Sequence, residues 1–341
     1  MRNVMILNGL YTKEQLESIK NSVAQKKEPW YGAYNSLTED IDAALKTEPV
    51  ADVDFNIPGA YIDGEGHIRN KEHLCHLGLT AHACALAYAV SHEERYCRKA
   101  EELLCRWFDT NVSVSGHDGA LSMSYLGTSL LLAAEILQHC GRETEYLTKA
   151  ENWVERVFLP AANSIRDGKN NWGDWGLLAS VMCYRLLGDV ENIKICAGLL
   201  KKHIEETISS DGSMPRETAR GNRGIWYTYF ALAPMTAACT VVYNSIGTDL
   251  LCRTESTGKS VKKALDYLLY HYQDPDKWEF CAEKQDMLPF VRYWPYNLFE
   301  AMWDRYGDNR YFEFASGNRP IGNTCHHDAW SYTTLTVLSE K

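Results

Sequence analysis

The residue types best suited to acid–base chemistry on an anion lie together in one stretch of the sequence. Its arginines, amide and tyrosines are Arg216, Arg220, Arg223, Asn222, Tyr227 and Tyr229. Burying an arginine is costly unless it meets an anion. Arginine donates charge-assisted hydrogen bonds to a carboxylate, and a tyrosine beside it can move a proton. The stretch therefore predicts a site that binds a carboxylate and transfers a proton next to it.

A second stretch, residues 170–175, reads NNWGDW and stands just before another apolar helical pattern. Asn170 and Asn171 are suited to donating hydrogen bonds to an anion, and either of them can instead cap the helix that follows. Trp172 and Trp175 are suited to packing, and either can also stack on a sugar ring. The two stretches are predicted to meet at one site if their helices are neighbours.

Together the two stretches resemble the alginate lyase family of α/α-toroid polysaccharide lyases. In that family an asparagine motif opens one inner helix and an Arg-x6-Tyr arrangement opens the next. The resemblance covers the layout from about Asn56 to the C-terminus. It implies that Asn171 and Arg220 bind the substrate carboxylate, and that Tyr227 is the catalytic tyrosine. The family has histidine directly after the asparagine, whereas this sequence has Trp172.

Lysis of a 1,4-linked uronan removes the proton at C5 and expels the glycosidic oxygen at C4. That proton becomes acidic only when the neighbouring carboxylate is neutralised. A tyrosine with a pKa of about 10 in solution needs nearby positive charge to act as the base, which Arg220 and Arg223 can supply. In mannuronate and glucuronate the proton and oxygen leave from one face, so one tyrosine serves as base and acid. Guluronate needs two groups. The missing histidine therefore favours mannuronan or glucuronan.

Further polar and aromatic residues fall in the loops that precede other apolar helices. His327 and His117 are the alternatives to Tyr227 as the base. The predicted substrate-binding residues are Arg216, Arg223, Asn170, Trp172, Trp175, Asn222, Tyr229, His326, Arg69 and Arg292. Structural roles compete with these assignments, since Arg216 and Glu217 can form a surface ion pair.

Two other functions are compatible with these residues. A glycoside hydrolase on the same fold would use Asp118 and Asp174 as its carboxylate pair, because each precedes a different inner helix. A glycan-binding protein without catalysis would keep the cleft and lack the base, for which Trp172 in place of histidine is the argument.

The helical patterns alternate in character along the chain. Apolar patterns over residues 71–90, 122–138, 176–187 and 227–243 alternate with amphipathic patterns over 93–108, 143–159, 192–207 and 259–272. Apolar helices are buried and amphipathic helices lie at the surface, so stacked hairpins around an inner ring are expected. The sequence predicts an all-α fold, an α/α toroid in one domain over residues 1–341, with an open helical solenoid as the alternative.

Loops that precede the inner helices must share one rim of this ring. They hold most of the unusual polar residues, which is typical of a cleft enzyme or a carbohydrate binder. Residues 49–70 have no helical period and are predicted to form a lid over the cleft.

Composition limits the partners. A formal net charge of −10 argues against a general attraction to nucleic acid or to an anionic membrane surface. An anionic polysaccharide must then be held by a local cluster of cations. Eleven cysteines, with no CxxC pair and no zinc-like spacing, predict buried free thiols in a reducing compartment. Nothing in the sequence requires a metal or a cofactor, so none is expected.

The N-terminal apolar run is too short for a signal peptide, and no segment is expected to span a bilayer. The predicted location is the cytoplasm for the chain as given, or the periplasm or exterior if a signal was removed.

Overall fold

The computed structural model describes residues 6–46, 48–142, 145–254, 257–288 and 291–337. These residues form two short strands, β1 (Asp54–Asn56) and β2 (Ser113–Ser115), and fifteen α-helices. The helices are α1 (Lys13–Ala24), α2 (Trp30–Ala44), α3 (Gly64–Ser91), α4 (Glu94–Thr110), α5 (Gly119–His139), α6 (Glu145–Trp153), α7 (Leu159–Ile165), α8 (Asn171–Leu186), α9 (Val190–Thr207), α10 (Pro215–Thr218), α11 (Gly224–Ile246), α12 (Val261–Gln273), α13 (Tyr296–Tyr306), α14 (Asn309–Ser316) and α15 (Thr333–Thr336).

The longer helices form two layers. Helices α3, α5, α8 and α11 pack against one another in that order, and α4, α6, α9 and α12 lie outside them. Helix α5 is buried at nearly every position, whereas α4 buries one face with Leu103, Leu104 and Trp107. This contrast is the predicted alternation of apolar and amphipathic helices, and it makes the inner layer the core of the molecule.

The C-terminal residues close the ring. Helix α15 contacts α1, α2 and α13, and the side chain of Gln15 donates a hydrogen bond to the carbonyl of Thr336. Buried Glu300 of α13 accepts hydrogen bonds from the hydroxyls of Thr333 and Thr334 at 2.6 and 2.8 Å. The fold is therefore an α/α toroid, as predicted, rather than an open solenoid.

Three of the described helical segments are long and apolar enough to cross a membrane by length and composition alone. They are residues 64–91, 119–139 and 221–246, and the qualifying windows are 72%, 94% and 89% buried inside the protein. The expectation that no segment has this character was wrong. The reason is that an inner helix of a toroid is covered by other helices on every side, so its composition approaches that of a membrane span.

Helix α3 begins earlier than its apolar pattern predicts. It starts at Gly64, where the side chain of Asp63 accepts a hydrogen bond from the amide of Gly66 at 2.9 Å and caps the first turn. The predicted lid over residues 49–70 is therefore wrong at its C-terminal end. Residues 57–63, which we call the β1–α3 loop, connect β1 to α3 and are neither helix nor strand.

The two strands hold the β1–α3 loop against the β2–α5 loop, which consists of residues 116–118. They pair in parallel, and the pairing continues where the Ile57 amide donates to the carbonyl of Ser115 at 3.1 Å. Gly116 has a φ of +80°, and a β-carbon there would lie 2.3 Å from the Ile57 carbonyl oxygen. Only glycine allows this close approach, so the two loops are fixed to each other at their roots.

Candidate active site

The entrances of the inner helices open into one cleft, as expected for loops on a common rim. Its volume is about 450 Å³. It brings together eight of the residues singled out from the sequence, namely His117, Asp118, Asn171, Trp172, Arg220, Arg223, Tyr227 and His326. Two other hollows of about 470 and 720 Å³ lie around α1 and contain none of the predicted site residues. Size alone therefore does not identify the site, and the chemistry of the lining does.

Tyr227 projects into the cleft beside two partners. Its hydroxyl lies 2.8 Å from the hydroxyl of Tyr61 in the β1–α3 loop. The guanidinium of Arg220 lies 4.0 Å from the centre of the Tyr227 ring and donates a hydrogen bond to the Tyr61 hydroxyl at 3.1 Å. Arg220 precedes α11 and Tyr227 lies in its first turn, so the short turn between them brings cation and phenol together.

The environment separates the two tyrosines electrostatically. Burial raises the pKa of Tyr227, and the hydrogen bond with Tyr61 adds to that effect. Partial burial also acts on Tyr61, yet hydrogen bonds with Tyr227 and Arg220 outweigh it and lower the pKa of Tyr61. Tyr61 is 73% exposed, so its phenolate keeps contact with water as well as with the arginine. A negative charge on this pair is therefore held more easily by Tyr61 than by Tyr227.

Asn171 lies at the start of α8, with Asn170 as the residue that caps it. The Asn170 side chain accepts a hydrogen bond from the amide of Trp172 at 3.3 Å, so the motif forms the first helical turn rather than a loop. The backbone and side-chain amides of Asn171 donate to the two carboxyl oxygens of Glu217 at 2.7 and 2.9 Å. The second hydrogen of the Asn171 amide group is left for another acceptor.

Glu217 is a buried carboxyl, not half of a surface ion pair as the sequence suggested. It is 1% exposed, and burial raises its pKa to about 7, although the hydrogen bonds from Asn171 act in the opposite direction. It lies in α10, a single turn that begins at Pro215 and joins the arginine stretch to the asparagine motif. Its contact with Asn171 therefore links the two stretches that carry the resemblance.

Positive charge predominates in the cleft although the whole chain is acidic. Lys71, Arg220 and Arg223 line it, and Asp118 is the one carboxylate among the described lining residues. Lys71 donates a hydrogen bond to the hydroxyl of Tyr125 at 3.2 Å. Arg223 is held by Asp286, with Nε and Oδ2 3.4 Å apart. A cleft of this charge attracts an anionic ligand locally.

Asp118 binds groups on both sides of the cleft entrance. Its Oδ1 lies 2.6 Å from Nδ1 of His117, and its Oδ2 accepts a hydrogen bond from the amide of Ala60 at 2.8 Å. Nδ1 of His67 is 3.3 Å from Oδ2. Burial opposes ionisation, but these hydrogen bonds lower the pKa of Asp118 to about 2, so the carboxylate is charged at neutral pH.

Four predicted residues lie behind the cleft wall and do not line it. Trp175, Tyr229, His327 and Asp174 are fully buried. The Tyr229 hydroxyl donates to Asn297 at 3.1 Å, and the carboxylate of Asp174 lies 2.9 Å from Nε2 of His203. Burial lowers the pKa of His327 to about 3, so the ring is neutral and enclosed by aromatic side chains. A hydrolase pair of Asp118 and Asp174 is not supported, because only Asp118 reaches the cleft.

Four other predicted residues lie outside the cleft lining. Arg69, Arg216 and Arg292 are exposed. The backbone carbonyl of Asn222 accepts a hydrogen bond from the amide of Asp286, which fixes the turn before α11. Asn222 therefore shapes the loop that holds Arg223.

Sequence reasoning missed three polar residues of the cleft: Tyr61, Lys71 and Tyr125. His67 also lines the cleft and is one of the polar residues expected in the rim loops. Tyr61 falls in the stretch without helical period, and that pattern indicated the region without singling out the residue. Lys71 and Tyr125 lie on the inner helices, one turn or more below the rim. A polar residue in an otherwise apolar inner helix was the available signal.

No cysteine is among the described residues that line the cleft. All eleven cysteines are free, and Cys252 and Cys325 are exposed, so the prediction of buried thiols holds for only part of them. No group of three His, Cys, Asp or Glu side chains in the described residues has the arrangement of a metal site.

Comparison with known proteins agrees with this geometry. The model of the alginate lyase family matches residues 18–278. No curated protein sequence matches the chain. An alginate lyase from Bacteroides ovatus superimposes with a TM-score of 0.77 at 18% identity, over 98% of this chain and 100% of that one.

Two structures of a second enzyme are also similar. Alginate lyase A1-III from Sphingomonas species A1 superimposes with a TM-score of 0.79 at 15% identity, over 97% of each chain. A histidine-to-alanine variant of A1-III complexed with a tetrasaccharide gives 0.82 at 15% identity, over 98% of each chain. At these identities the structural likeness establishes the fold alone.

Proposed function

The chain belongs to the alginate lyase family of polysaccharide lyases, and on that premise we propose that it cleaves a 1,4-linked uronan of the mannuronan or glucuronan type by β-elimination. The observation that carries the proposal is the contact of Tyr227 with Tyr61 and Arg220 inside a cationic cleft. An anionic sugar is attracted to this lining, and a phenol placed beside a guanidinium is suited to proton transfer.

The carboxylate of the uronate is bound by Asn171 and Arg220. Asn171 keeps one amide hydrogen for it while the other is donated to Glu217. Because burial raises the pKa of Glu217 to about 7, this carboxyl is partly neutral near pH 7 and repels the incoming uronate less than a full charge would. Neutralising the carboxylate acidifies the proton on C5, which is the electrostatic requirement of the reaction.

Tyr227 transfers the proton. Its phenolate takes the proton from C5, and the electron pair of that bond forms the double bond between C4 and C5. The bond from C4 to the glycosidic oxygen breaks, and the leaving oxygen receives the proton from the Tyr227 hydroxyl. One residue then returns to its starting state, which is possible where proton and oxygen leave from the same face, as in mannuronate and glucuronate.

Tyr61 supplies the route by which Tyr227 becomes a phenolate. The pKa of Tyr61 is lowered by its hydrogen bonds with Tyr227 and Arg220, despite the opposing effect of partial burial, while that of Tyr227 is raised by burial. When the pair loses a proton, Arg220 stabilises the negative charge on Tyr61, and the 2.8 Å contact allows Tyr61 to accept the Tyr227 proton as the substrate binds. Tyr61 therefore belongs with Tyr227 and Arg220 in the proton-transfer group.

The test is incubation of the protein with mannuronan, guluronan and glucuronan while ultraviolet absorbance and reducing ends are recorded. A lyase makes one unsaturated uronate for each bond cut, so absorbance and reducing ends should rise together on mannuronan or glucuronan. Reducing ends without absorbance would identify a hydrolase. Binding without either signal would identify a glycan-binding protein.

A further inference from the structure

The imidazole of His117 is held in one orientation by Asp118. The 2.6 Å contact between Nδ1 and the carboxylate requires a proton on Nδ1, so in the neutral ring Nε2 carries a lone pair. The His117 side chain is 64% exposed and lines the cleft. Asp118 itself is largely enclosed, with 10% of its side chain exposed. This is an imidazole base oriented by a buried carboxylate.

His117 and Tyr227 lie on opposite sides of Asn171 along the rim. His117 precedes α5, Asn171 begins α8, and Tyr227 lies in α11, and these inner helices pack in the order α5, α8, α11. The His117 ring meets the ring of Trp172 edge-to-face, with centroids 6.0 Å apart. A uronate whose carboxylate is bound at Asn171 therefore has an imidazole on one side and a phenol on the other.

The β1–α3 loop also packs against the imidazole of His117. A β-carbon at Gly59 would lie 3.3 Å from Nδ1 of His117, so the glycine backbone packs closely on the ring. The next residue, Ala60, donates its amide hydrogen to Asp118. The carboxylate of Asp118 thus positions His117 through one oxygen and the loop that carries Tyr61 through the other.

We propose that His117 is a second proton-transfer group, positioned by Asp118, and that it allows the enzyme to cleave at guluronate as well as at mannuronate. The proposal rests on the lyase function proposed above. Trp172 in place of histidine suggested that the substrate is limited to mannuronan or glucuronan. The proposal adds guluronate, because the second group that guluronate requires is supplied at the entrance of α5 instead of by the asparagine motif.

At guluronate the proton and the leaving oxygen are on opposite faces of the ring. Nε2 of His117 takes the C5 proton, the electron pair of that bond forms the C4–C5 double bond, and the C4–O bond breaks. The glycosidic oxygen receives the proton of the Tyr227 hydroxyl from the other face. The imidazolium then releases its proton to water at the open side of the cleft, and the Tyr227 phenolate takes one up.

The experiment measures kcat and KM on mannuronate-block and guluronate-block oligosaccharides for the wild type, His117→Gln and Asp118→Asn. The wild type is expected to cleave both. His117→Gln should lower kcat on guluronate blocks by about 100-fold or more, the usual contribution of a general base, and lower it on mannuronate blocks by a smaller factor. Asp118→Asn should shift the ratio of the two kcat values in the same direction with little change in KM.

The ratio of the two rates in one preparation does not depend on how much of a variant is folded, so it separates chemistry from stability. His73→Gln is the matched control, since it breaks another His–Asp contact, 2.8 Å from His73 to Asp52, outside the cleft. The ratio should stay at the wild-type value in that variant.

Two results would overturn the inference alone: a wild type that cleaves mannuronate blocks but not guluronate blocks, or equal losses on both substrates in His117→Gln. A wild type that cleaves neither alginate substrate would overturn the inference, and if it also fails to cleave glucuronan it would overturn the proposed lyase function.

Discussion

The cleft wall and the layer of side chains directly behind it contain the same residue types at almost the same places in the sequence. Tyr227 reaches the cleft, while Tyr229, two residues later, is buried and bonded to Asn297. His326 lines the cleft and His327 lies in the core. Because successive residues of a helix or tight turn point in different directions, residue type near the rim does not determine access to substrate.

Two of the Asp–His contacts extend the comparison. Asp118 orients His117 toward the cleft, whereas Asp174 meets His203 on α9 and joins an inner helix to an outer one. The first pair is partly open to solvent and the second is enclosed. The same chemical pair therefore positions a reactive group in one region and stabilises the packing of two layers in the other.

The strongest test of this comparison is Tyr227→Phe against Tyr229→Phe. Tyr227→Phe removes the proton carrier and should lower kcat on mannuronan by about 10²–10⁴-fold. Tyr229→Phe should keep most of the activity but lower the free energy of unfolding by about 1–3 kcal/mol, because Asn297 loses a buried partner. Steady-state absorbance assays and urea unfolding measure the two effects. Equal activities of the two variants would contradict the assignment of catalysis to the tyrosine in the cleft wall and of a structural role to the tyrosine behind it.

Arg220→Ala against Arg216→Ala compares a cleft arginine with an exposed one on the same stretch. Arg220→Ala removes the cation that contacts both tyrosines, and kcat should fall by about 10²–10³-fold, as for loss of one oxyanion contact. Arg216→Ala should have near wild-type kcat and KM. The reverse ranking would move the carboxylate-binding role to Arg216.

Asp174→Ala tests the buried pair. It leaves His203 enclosed without its acceptor, and removing one partner of a buried pair typically costs about 3–5 kcal/mol. We expect a loss of that order in chemical unfolding with normal turnover per folded molecule. Asp174→Asn, which retains an acceptor, should lose less. A fall in turnover per folded molecule would assign Asp174 to catalysis and would support the glycoside hydrolase hypothesis.

Glu217→Gln tests the buried carboxyl that joins the two motifs. Burial raises the pKa of Glu217 to about 7, so the folded state binds this proton more tightly than the unfolded state does. Its contribution to stability is therefore greatest at acid pH and falls as the pH rises from the ordinary glutamate range to about 7, by at most about 3 kcal/mol.

In Glu217→Gln that part of the pH dependence should disappear, and unfolding free energies at several pH values measure it. Glu191→Gln, at an exposed position on α9, is the control and should leave the pH dependence unchanged. If Glu217→Gln kept the wild-type pH dependence of the unfolding free energy, a group other than Glu217 would be responsible for it.

Much of the fold is predictable because the degree to which a helix is buried determines how many of its faces are apolar. Inner helices such as α5 are apolar on all faces, and outer helices such as α4 are apolar on one face. The alternation of apolar and amphipathic patterns along the sequence predicted this difference. The start of α3 was not predicted, because its first turn lies at the polar rim and is capped by Asp63. An asparagine cap at the start of α8 was one of the predicted alternatives, and the structure has it at Asn170.

The site is less predictable than the fold. Motif spacing found Asn171, Arg220 and Tyr227, and the structure brings them to one cleft. Motif spacing gave no reason to single out Tyr61, which lies in a loop 166 positions away from Tyr227 in the chain and contacts it in the fold. A surface ion pair with Arg216 was one alternative for Glu217, and only tertiary packing shows that this carboxyl is buried. Contacts between distant segments carry information that local patterns do not contain.

The closure of the ring by α15 has a consequence for biosynthesis. Helices α3, α5 and α11 are as apolar as membrane spans, and they leave the ribosome before the C-terminal residues that seal the ring against α1 and α2. His326 lines the cleft beside segments that begin at Ala60, and it is made after all four inner helices. A nascent chain therefore exposes apolar surface until these later residues have emerged. Efficient production should consequently depend on chaperones that shield the growing chain, and truncations near residue 320 should aggregate rather than yield a smaller working enzyme.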